Sequence, residues 1–204
     1  MEQAEALKKF LGKEVKQASD RFVLANFNHM KKEEAPEHVK EFADAFRELF
    51  KLCKKENRDV RFVQIVLRRS RALLREPFYR LEAFGQGLDD SGLIASVEPN
   101  LEWLYREYDK FCEEVDRQSK KYVMCFTDHE LNRIKQIELI NCRRMVRHLF
   151  ERAVVYIINS EEYHALQIKE GFQVHMAEYR GPYKIIFETD EYTAALGKVW
   201  YGLL

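Results

Sequence analysis

Glu161 and His164 are the one pair of residues in the chain with the spacing of a metal-binding pair. They stand three positions apart, so on a helix both side chains would lie on one face. A di-iron carboxylate bundle needs two such pairs and two further glutamates. None of the other five histidines has a glutamate three positions before it. The spacing therefore predicts neither a metal centre nor a cofactor.

The chain also lacks the short motifs of nucleotide-binding, hydrolytic and metalloprotease sites. G-x-G-x-x-G, G-x-x-x-x-G-K-[ST], G-x-S-x-G and H-E-x-x-H are all absent. The titratable run Asp128-His129-Glu130 suits a helix N-terminus, where acids interact favourably with the helix dipole. We nominate no catalytic residue, and a non-enzymatic role is favoured.

The four cysteines are spaced too widely for the usual zinc or dithiol motifs. They are separated by 59, 13 and 17 positions, and no C-x-x-C pair occurs. We expect small buried side chains that stay reduced. The four are Cys53, Cys112, Cys125 and Cys142.

Acids and bases balance at 34 each, but they are distributed in blocks. Residues 58–80 carry seven bases and two acids, whereas residues 81–118 carry three bases and ten acids. Periodicity over 60–75 predicts a helix that is apolar around most of its circumference. At about 100° per residue, Arg61, Arg68 and Arg75 would form one narrow ridge, with Arg71 beside it.

A buried arginine needs a carboxylate, phosphate or carbonyl opposite it. The acidic block 81–118 is the favoured source of that partner, so we expect the ridge to be neutralised from within the chain. The alternative is an external anion, either nucleic-acid phosphate or an acidic protein segment.

A second basic stretch lies on the helix predicted after Thr127. A solvent-facing polar surface is the favoured interpretation, and a nucleic-acid contact is the alternative. Nucleic-acid modules normally carry a net basic excess, which this chain lacks. The residues are Arg133, Lys135, Arg143, Arg144, Arg147 and Arg152.

The N-terminal half reads mainly as helices. Residues 2–30 predict one kinked helix or two short ones, because Gly12 interrupts the apolar pattern. A strongly amphipathic helix begins at Ala35-Pro36, and the predicted helix over 60–75 ends before Pro77. A hairpin of strands over 78–84 and 93–97 follows, and then a helix to about Gln118.

The C-terminal half mixes helices with a second hairpin. Thr127 and Glu130 form a capping box that starts a long helix at Asp128. At Val154–Ile158 the apolar pattern does not distinguish the end of that helix from a separate strand. Ser160 caps a short helix that we expect to close at Gly171. Strands over 172–176 and 183–188 predict a hairpin, before a last helix that carries Tyr192, Leu196, Trp200 and Tyr201.

Three segments carry a resemblance to other sequences: Arg61 to Ser70, Tyr79 to Phe84, and Trp103 to Tyr105. Together they resemble small proteins of clostridia-type bacteria, in which a helix is followed by a tyrosine-rich extended stretch, a turn with Asp and an aromatic-bearing helix. The resemblance covers about a quarter of the chain. It implies a bacterial origin and a predominantly helical α+β module, and it indicates no particular activity.

The predicted fold is α+β and predominantly α, a multi-helix core with one or two small β-hairpins. We expect a single compact domain over 1–204, with a possible division into a helical region over residues 1–76 and an α+β region over residues 77–204. No apolar run approaches the about 20 residues of a membrane helix. The predicted protein is a cytoplasmic bacterial module, non-catalytic, that binds another protein or regulates it.

The predicted binding residues are the ridge and two aromatic side chains near the C-terminus, since exposed aromatic groups are frequent anchors in protein interfaces. One alternative is a nucleic-acid binder that uses Arg-rich helices over 58–76 and 128–152. Another is an enzyme or binding protein for a small anion held by Arg61, Arg68 and Arg75. The predicted residues are Arg61, Arg68, Arg71, Arg75, Trp200 and Tyr201.

Overall fold

The structure, a computed structural model, describes residues 3–31, 35–85, 92–122, 125–166 and 168–189. The helices in these ranges are α1 (Gln3–Lys9), a π-helical segment (Phe10–Val15), α2 (Lys16–Lys31), α3 (Ala35–Glu56), α4 (Arg69–Leu73), α5 (Glu102–Ser119), α6 (Asp128–Ile158) and α7 (Glu161–His164). The strands are β1 (Val60–Leu67), β2 (Tyr79–Phe84), β3 (Leu93–Val97), β4 (Ile168–Glu178) and β5 (Tyr183–Glu188). The predicted class, α+β and predominantly α, is confirmed.

The five strands form one mixed sheet in the order β3-β2-β1-β4-β5. Both predicted hairpins are present, β2 with β3 and β4 with β5. Strand β1 joins them, because it pairs antiparallel with β2 and parallel with β4.

Strand β1 corrects the predicted helix over 60–75. In this segment only Arg69–Leu73 is helical. Every residue of β1 except Arg61 is buried, so the strand lacks the alternation that marks a half-exposed strand. Val60, Val63, Ile65 and Val66 have β-branched side chains that pack well on a pleated surface. A short segment that is apolar on all sides is therefore a central strand here.

The chain divides into two compact units, each assembled from three segments. Unit 1 contains residues up to Ala35, Arg69–Pro77 and Leu101–Val146. Unit 2 contains Pro36–Arg68, Phe78–Asn100 and the described residues from Arg147 on. The single domain over 1–204, like the division after residue 76, stays a prediction.

The core of unit 2 is a cluster of aromatic side chains from α3, the end of α6 and the sheet. Phe46 of α3 lies 5.9 Å from Phe150, whose ring lies 6.2 Å from Phe187 of β5, measured between ring centroids. Phe50 and Phe172 both contact Tyr163. The apolar stripe predicted for α3 is wholly buried: Val39, Phe42, Phe46, Leu49, Phe50 and Cys53.

The core of unit 1 is built where α2 meets α5. Phe22 of α2 contacts Tyr108 and Phe111 of α5, with ring centroids 6.4 and 6.1 Å apart. Phe10, in the π-helical segment, stacks on Phe126 at 4.7 Å and meets the edge of Tyr122 at 5.4 Å.

Side-chain caps define the ends of two helices as the sequence predicts. The Thr127 backbone N–H donates to Glu130 Oε2 over 2.8 Å, and the Glu130 N–H donates to Thr127 Oγ1 over 3.2 Å. Helix α6 then runs unbroken to Ile158, so the segment left open at Val154–Ile158 is helical. The Ser160 hydroxyl accepts the Tyr163 N–H and starts α7.

Gly171 lies inside strand β4, so the prediction that it closes the short helix is wrong. Helix α7 ends at His164, and β4 begins at Ile168. Gly171 has a φ of +74°, in the left-handed region that favours glycine. The pairing of β1 with β4 jumps here, from Val60 opposite Ile168 to Phe62 opposite Gln173, which marks a bulge.

The predicted helix with Tyr192, Leu196, Trp200 and Tyr201 lies outside the described residues. Among the helices that are described, none is both long and apolar enough to cross a membrane.

Two glycine substitutions should change stability in opposite directions. A Cβ at Gly171 or at Gly12 would meet no atom within 4 Å, so backbone conformation alone decides the effect. Gly171→Ala should lower the free energy of unfolding by about 1–2 kcal/mol, because its φ is positive. Gly12→Ala should raise it by up to about 1 kcal/mol, because alanine favours a helix. Urea denaturation followed by circular dichroism measures both, and equal shifts of one sign would contradict this account.

Thiol labelling should separate one cysteine from the other three. Cys53, Cys112 and Cys142 are buried, and burial raises the pKa of Cys53 to about 12 and that of Cys112 to about 11. Cys125 is partly exposed. Because the thiolate is the reactive form, we expect iodoacetamide to label one cysteine in the native protein and four after denaturation. Cys125→Ser should abolish the native labelling, and rapid labelling of that variant would refute the assignment.

Candidate functional site

The predicted arginine ridge does not exist as one helix face, because residues 60–67 are a strand. Arg61 is an exposed residue of β1, and Arg68 follows the end of that strand. Both belong to unit 2. Arg71 lies in α4 and Arg75 follows it, both in unit 1. The four arginines therefore share neither an element nor a unit.

Acidic side chains from the block 81–118 do reach two of the predicted arginines. Arg68 pairs with Glu98 within unit 2. In unit 1, Arg75 Nη1 donates to Glu113 Oε1 over 2.9 Å, and its Nη2 lies 3.6 Å from Asp116 Oδ2. For these arginines the carboxylate partners expected from the sequence are present.

The other predicted binding residues stay predictions. Arg71 Nε lies 3.5 Å from Glu76 Oε2, a carboxylate outside the block 81–118. Arg61 is solvent-exposed. Trp200 and Tyr201 lie outside the described residues.

The exposed face of α6 carries isoleucines as well as arginines. Ile137 is 58% exposed and Ile140 is 52% exposed. Arg133 and Arg144 are exposed one turn before and one turn after them. At about 100° per residue all four fall within about 60° of one another. We call Arg133, Ile137, Ile140 and Arg144 the α6 strip.

Polar contacts on the opposite side of α6 fix the direction in which this strip points. The Lys135 side chain is only 13% exposed, and its Nζ lies 2.6 Å from Asp116 Oδ1 of α5. The Tyr108 hydroxyl donates to the Lys135 carbonyl over 3.0 Å. These contacts hold one face of α6 against α5 and leave the strip in solvent.

Glu138 provides a second anchor, toward α2. Its Oε1 accepts hydrogen bonds from Ser19 Oγ at 3.0 Å and from Asn141 Nδ2 at 2.8 Å. Burial raises the pKa of the Glu138 carboxyl, and the two hydrogen bonds oppose that rise. Lys135 and Glu138 therefore fix the orientation of the helix. Because the Lys135 side chain is largely buried, it does not belong to the solvent-facing basic surface predicted from the sequence.

In unit 2, one face of the sheet carries a row of stacked rings. Phe84 and Phe62 lie 5.1 Å apart, Phe62 and His175 4.8 Å, and His175 and Tyr183 4.5 Å, with interplanar angles of 13° to 14°. The row crosses β2, β1, β4 and β5. The opposite face carries the apolar residues of the core, such as Ile65 and Met176.

Beside the row of rings lies a pocket of about 140 Å³. Gln64 and Val66 of β1 line it together with Arg80 and Glu82 of β2, and the β4–β5 turn from Glu178 to Gly181 borders it. Gln64 is only 8% exposed and Glu82 only 5%. Arg80 Nε donates to Glu82 Oε1 over 2.6 Å. Two acids and two bases line the pocket, counting Glu178 and Arg180, so their formal charges cancel.

The Glu161 and His164 pair lies on α7 as the sequence suggests. Within the described stretches of the chain, no group of three or more His, Cys, Asp or Glu side chains has the geometry of a metal site. Comparisons of the chain with protein-family models, curated proteins and solved structures found no match.

Sequence reasoning missed both surfaces, for different reasons. Ile137 and Ile140 fall outside the apolar stripe of α6, and that departure from periodicity was a readable signal. The pocket depends on the pairing of β1 with β2, which places Gln64 opposite Glu82. Since β1 was expected to be helical, no sequence pattern could place those two residues together.

Protonation of His175 should destabilise the fold. Burial lowers the pKa of His175 below its usual value, although Glu188 opposes the shift. The unfolded chain therefore binds more protons than the folded chain below about pH 6.5, so stability falls as pH drops through that value. His175→Phe keeps a flat ring in the row and should make the free energy of unfolding less dependent on pH between about pH 7 and 5. Urea denaturation across that range tests this, and parallel curves for the two proteins would disprove it.

Proposed function

We propose that the protein is a non-catalytic interaction module of the bacterial cytoplasm, whose α6 strip binds an acidic amphipathic helix of another protein. The exposed Ile137 and Ile140 carry this proposal. Two adjacent large apolar side chains in solvent favour a partner that would bury them. The sequence resemblance supports the bacterial setting.

The spacing within the strip favours a helical partner. Its members are separated by four, three and four residues, which is the spacing of a coiled-coil seam. A helix that lays its apolar face along such a seam presents anchors at matching intervals. The partner therefore needs two apolar residues at the centre of one face.

The charges flanking the isoleucines determine which helix fits. Arg133 and Arg144 favour glutamate or aspartate one turn before and after the partner's apolar residues. A second copy of this chain would place arginine against arginine in either a parallel or an antiparallel pairing. Like charges in that position disfavour self-association.

The isoleucines also distinguish this proposal from nucleic-acid binding. Arginine serves phosphate and carboxylate equally well, whereas isoleucine contributes nothing to a phosphate contact. Arg147 Nε already donates to Glu151 Oε1 over 2.9 Å, and Lys135 pairs with Asp116. The basic residues of α6 are thus partly neutralised within the chain.

A synthetic helix tests the strip directly. The fluorescent probe carries two central leucines on one face and a glutamate one turn before and after them. We expect saturable binding by fluorescence anisotropy that weakens with salt. Ile137→Ser/Ile140→Ser should weaken it at least about tenfold, because burial of each side chain contributes about 1.5–3 kcal/mol.

Leu24→Ser is the matched control, because Leu24 is an apolar side chain on α2 with 59% exposure. That variant should bind the probe as the parent protein does. A probe with lysines in place of the glutamates should not bind. Equal binding by the parent and the double isoleucine variant would reject the proposal. Salt-sensitive retention on duplex DNA by both proteins would favour the nucleic-acid alternative.

A further inference from the structure

The polar groups that line the pocket in unit 2 have unused hydrogen-bonding capacity. Gln64 is more than nine-tenths buried, and among the described residues no hydrogen bond reaches its side-chain amide. Arg80 contacts only Oε1 of Glu82, which leaves Glu82 Oε2 and Arg80 Nη1 without a partner in the same described set. All three side chains line the pocket, and none of these atoms is among the fully buried polar atoms of the described residues that lack a partner, so a molecule in the pocket can reach them. These three groups are therefore suited to a ligand.

The volume of the pocket suits a single flat ring, and substituents of that ring would extend outside it. Its volume of about 140 Å³ is close to the roughly 150 Å³ of an engineered cavity that holds a benzene molecule. Phe84 and Tyr183, the two ends of the row of rings, line its wall. Aromatic side chains favour a planar ring that can stack on them or meet their edges.

The polar groups define what the edge of that ring must offer. The carboxylate oxygen of Glu82 only accepts hydrogen bonds, the Arg80 guanidinium only donates, and the Gln64 amide does both. The ligand must then present a donor next to acceptors. The balanced charges lining the pocket favour a neutral ligand over an anionic one.

We propose that this pocket binds a cytosine-type base, a 4-aminopyrimidine, as the free base or nucleoside. The exocyclic amino group of cytosine donates to carboxylates such as that of Glu82. The ring nitrogen and carbonyl accept from Gln64 and Arg80. Uracil carries an oxygen in place of the amino group, so Glu82 would face a second acceptor and reject it.

Titration of the ¹⁵N-labelled full chain with cytidine and uridine, followed by NMR, tests the assignment. We expect cytidine to shift signals of the pocket residues, including the Gln64 side-chain amide. Its affinity should exceed that of uridine by about ten- to hundredfold, which corresponds to one hydrogen bond to a charged group. Cytidine monophosphate should bind no more tightly than cytidine.

Two glutamines on the same sheet face provide a matched pair of variants. Gln64→Ala should weaken cytidine binding about tenfold. Gln173→Ala should leave it unchanged, because Gln173 does not line the pocket and its side chain bonds to Glu188 and His175 instead. Glu82→Gln should remove the preference for cytidine over uridine. Glu82→Gln also removes the charged partner of Arg80, so this variant could fail to fold. In that case the comparison of Gln64→Ala with Gln173→Ala decides whether cytidine binds in the pocket.

Several results would overturn the assignment. These are the absence of pocket shifts at millimolar cytidine, equal affinities for cytidine and uridine, and equal binding by Gln64→Ala and Gln173→Ala. Adenosine bound as tightly as cytidine would overturn the single-ring limit. None of these outcomes depends on the α6 strip, which lies in unit 1.

Discussion

Strand β1 is hydrogen-bonded along both of its edges, and unit 2 depends on that arrangement. Its antiparallel ladder with β2 and its parallel ladder with β4 join two hairpins into one sheet. The same ladders fix which side chains share a face. Val63 and Ile65 join the core, while Phe62 and Gln64 join the row of rings and the pocket. The same strand pairings therefore place the core residues on one face of the sheet and the residues of the candidate ligand site on the other.

The candidate site of unit 1 depends on the orientation of a helix rather than on strand pairing. Within the described residues the strip on α6 has no long-range pairing, and its exposure depends on how the helix is rotated about its axis. Lys135 and Glu138 fix that rotation through Asp116 and Ser19. Their charges are held on the buried side of the helix while Ile137 and Ile140 are left outside. In most helices the charged side chains face solvent and the large apolar ones are buried, and here the arrangement is reversed. That reversal makes the strip a candidate interface rather than an ordinary solvent-facing surface.

Local signals in the sequence were sufficient for much of this fold. The capping box at Thr127, the cap at Ser160, the stripe of α3 and both hairpins follow from residues close together in the chain. Strand β1 could not be recognised in this way, because a fully buried strand and a buried helix both appear as an apolar run. Its identity depends on β4, more than a hundred positions later in the sequence. The pocket was unpredictable for the same reason, whereas the strip was visible as two misplaced isoleucines.

The bulge at Gly171 reverses the alternation of strand β4. Val60 of β1 pairs with Ile168 of β4, and Phe62 pairs with Gln173. Between these two pairs β1 advances by two residues while β4 advances by five. Side chains along a strand alternate between the two faces of the sheet. Because β4 advances by an odd number of residues while β1 advances by an even number, the residues of β4 after the bulge lie on the opposite face from the one that an unbroken alternation would give them. Val174 and Met176 enter the core, and His175 joins the rings, only because of this parity change. Loss of a single residue between 168 and 173 would send the histidine inward and the valine outward, so the length of this segment is as constrained as its composition.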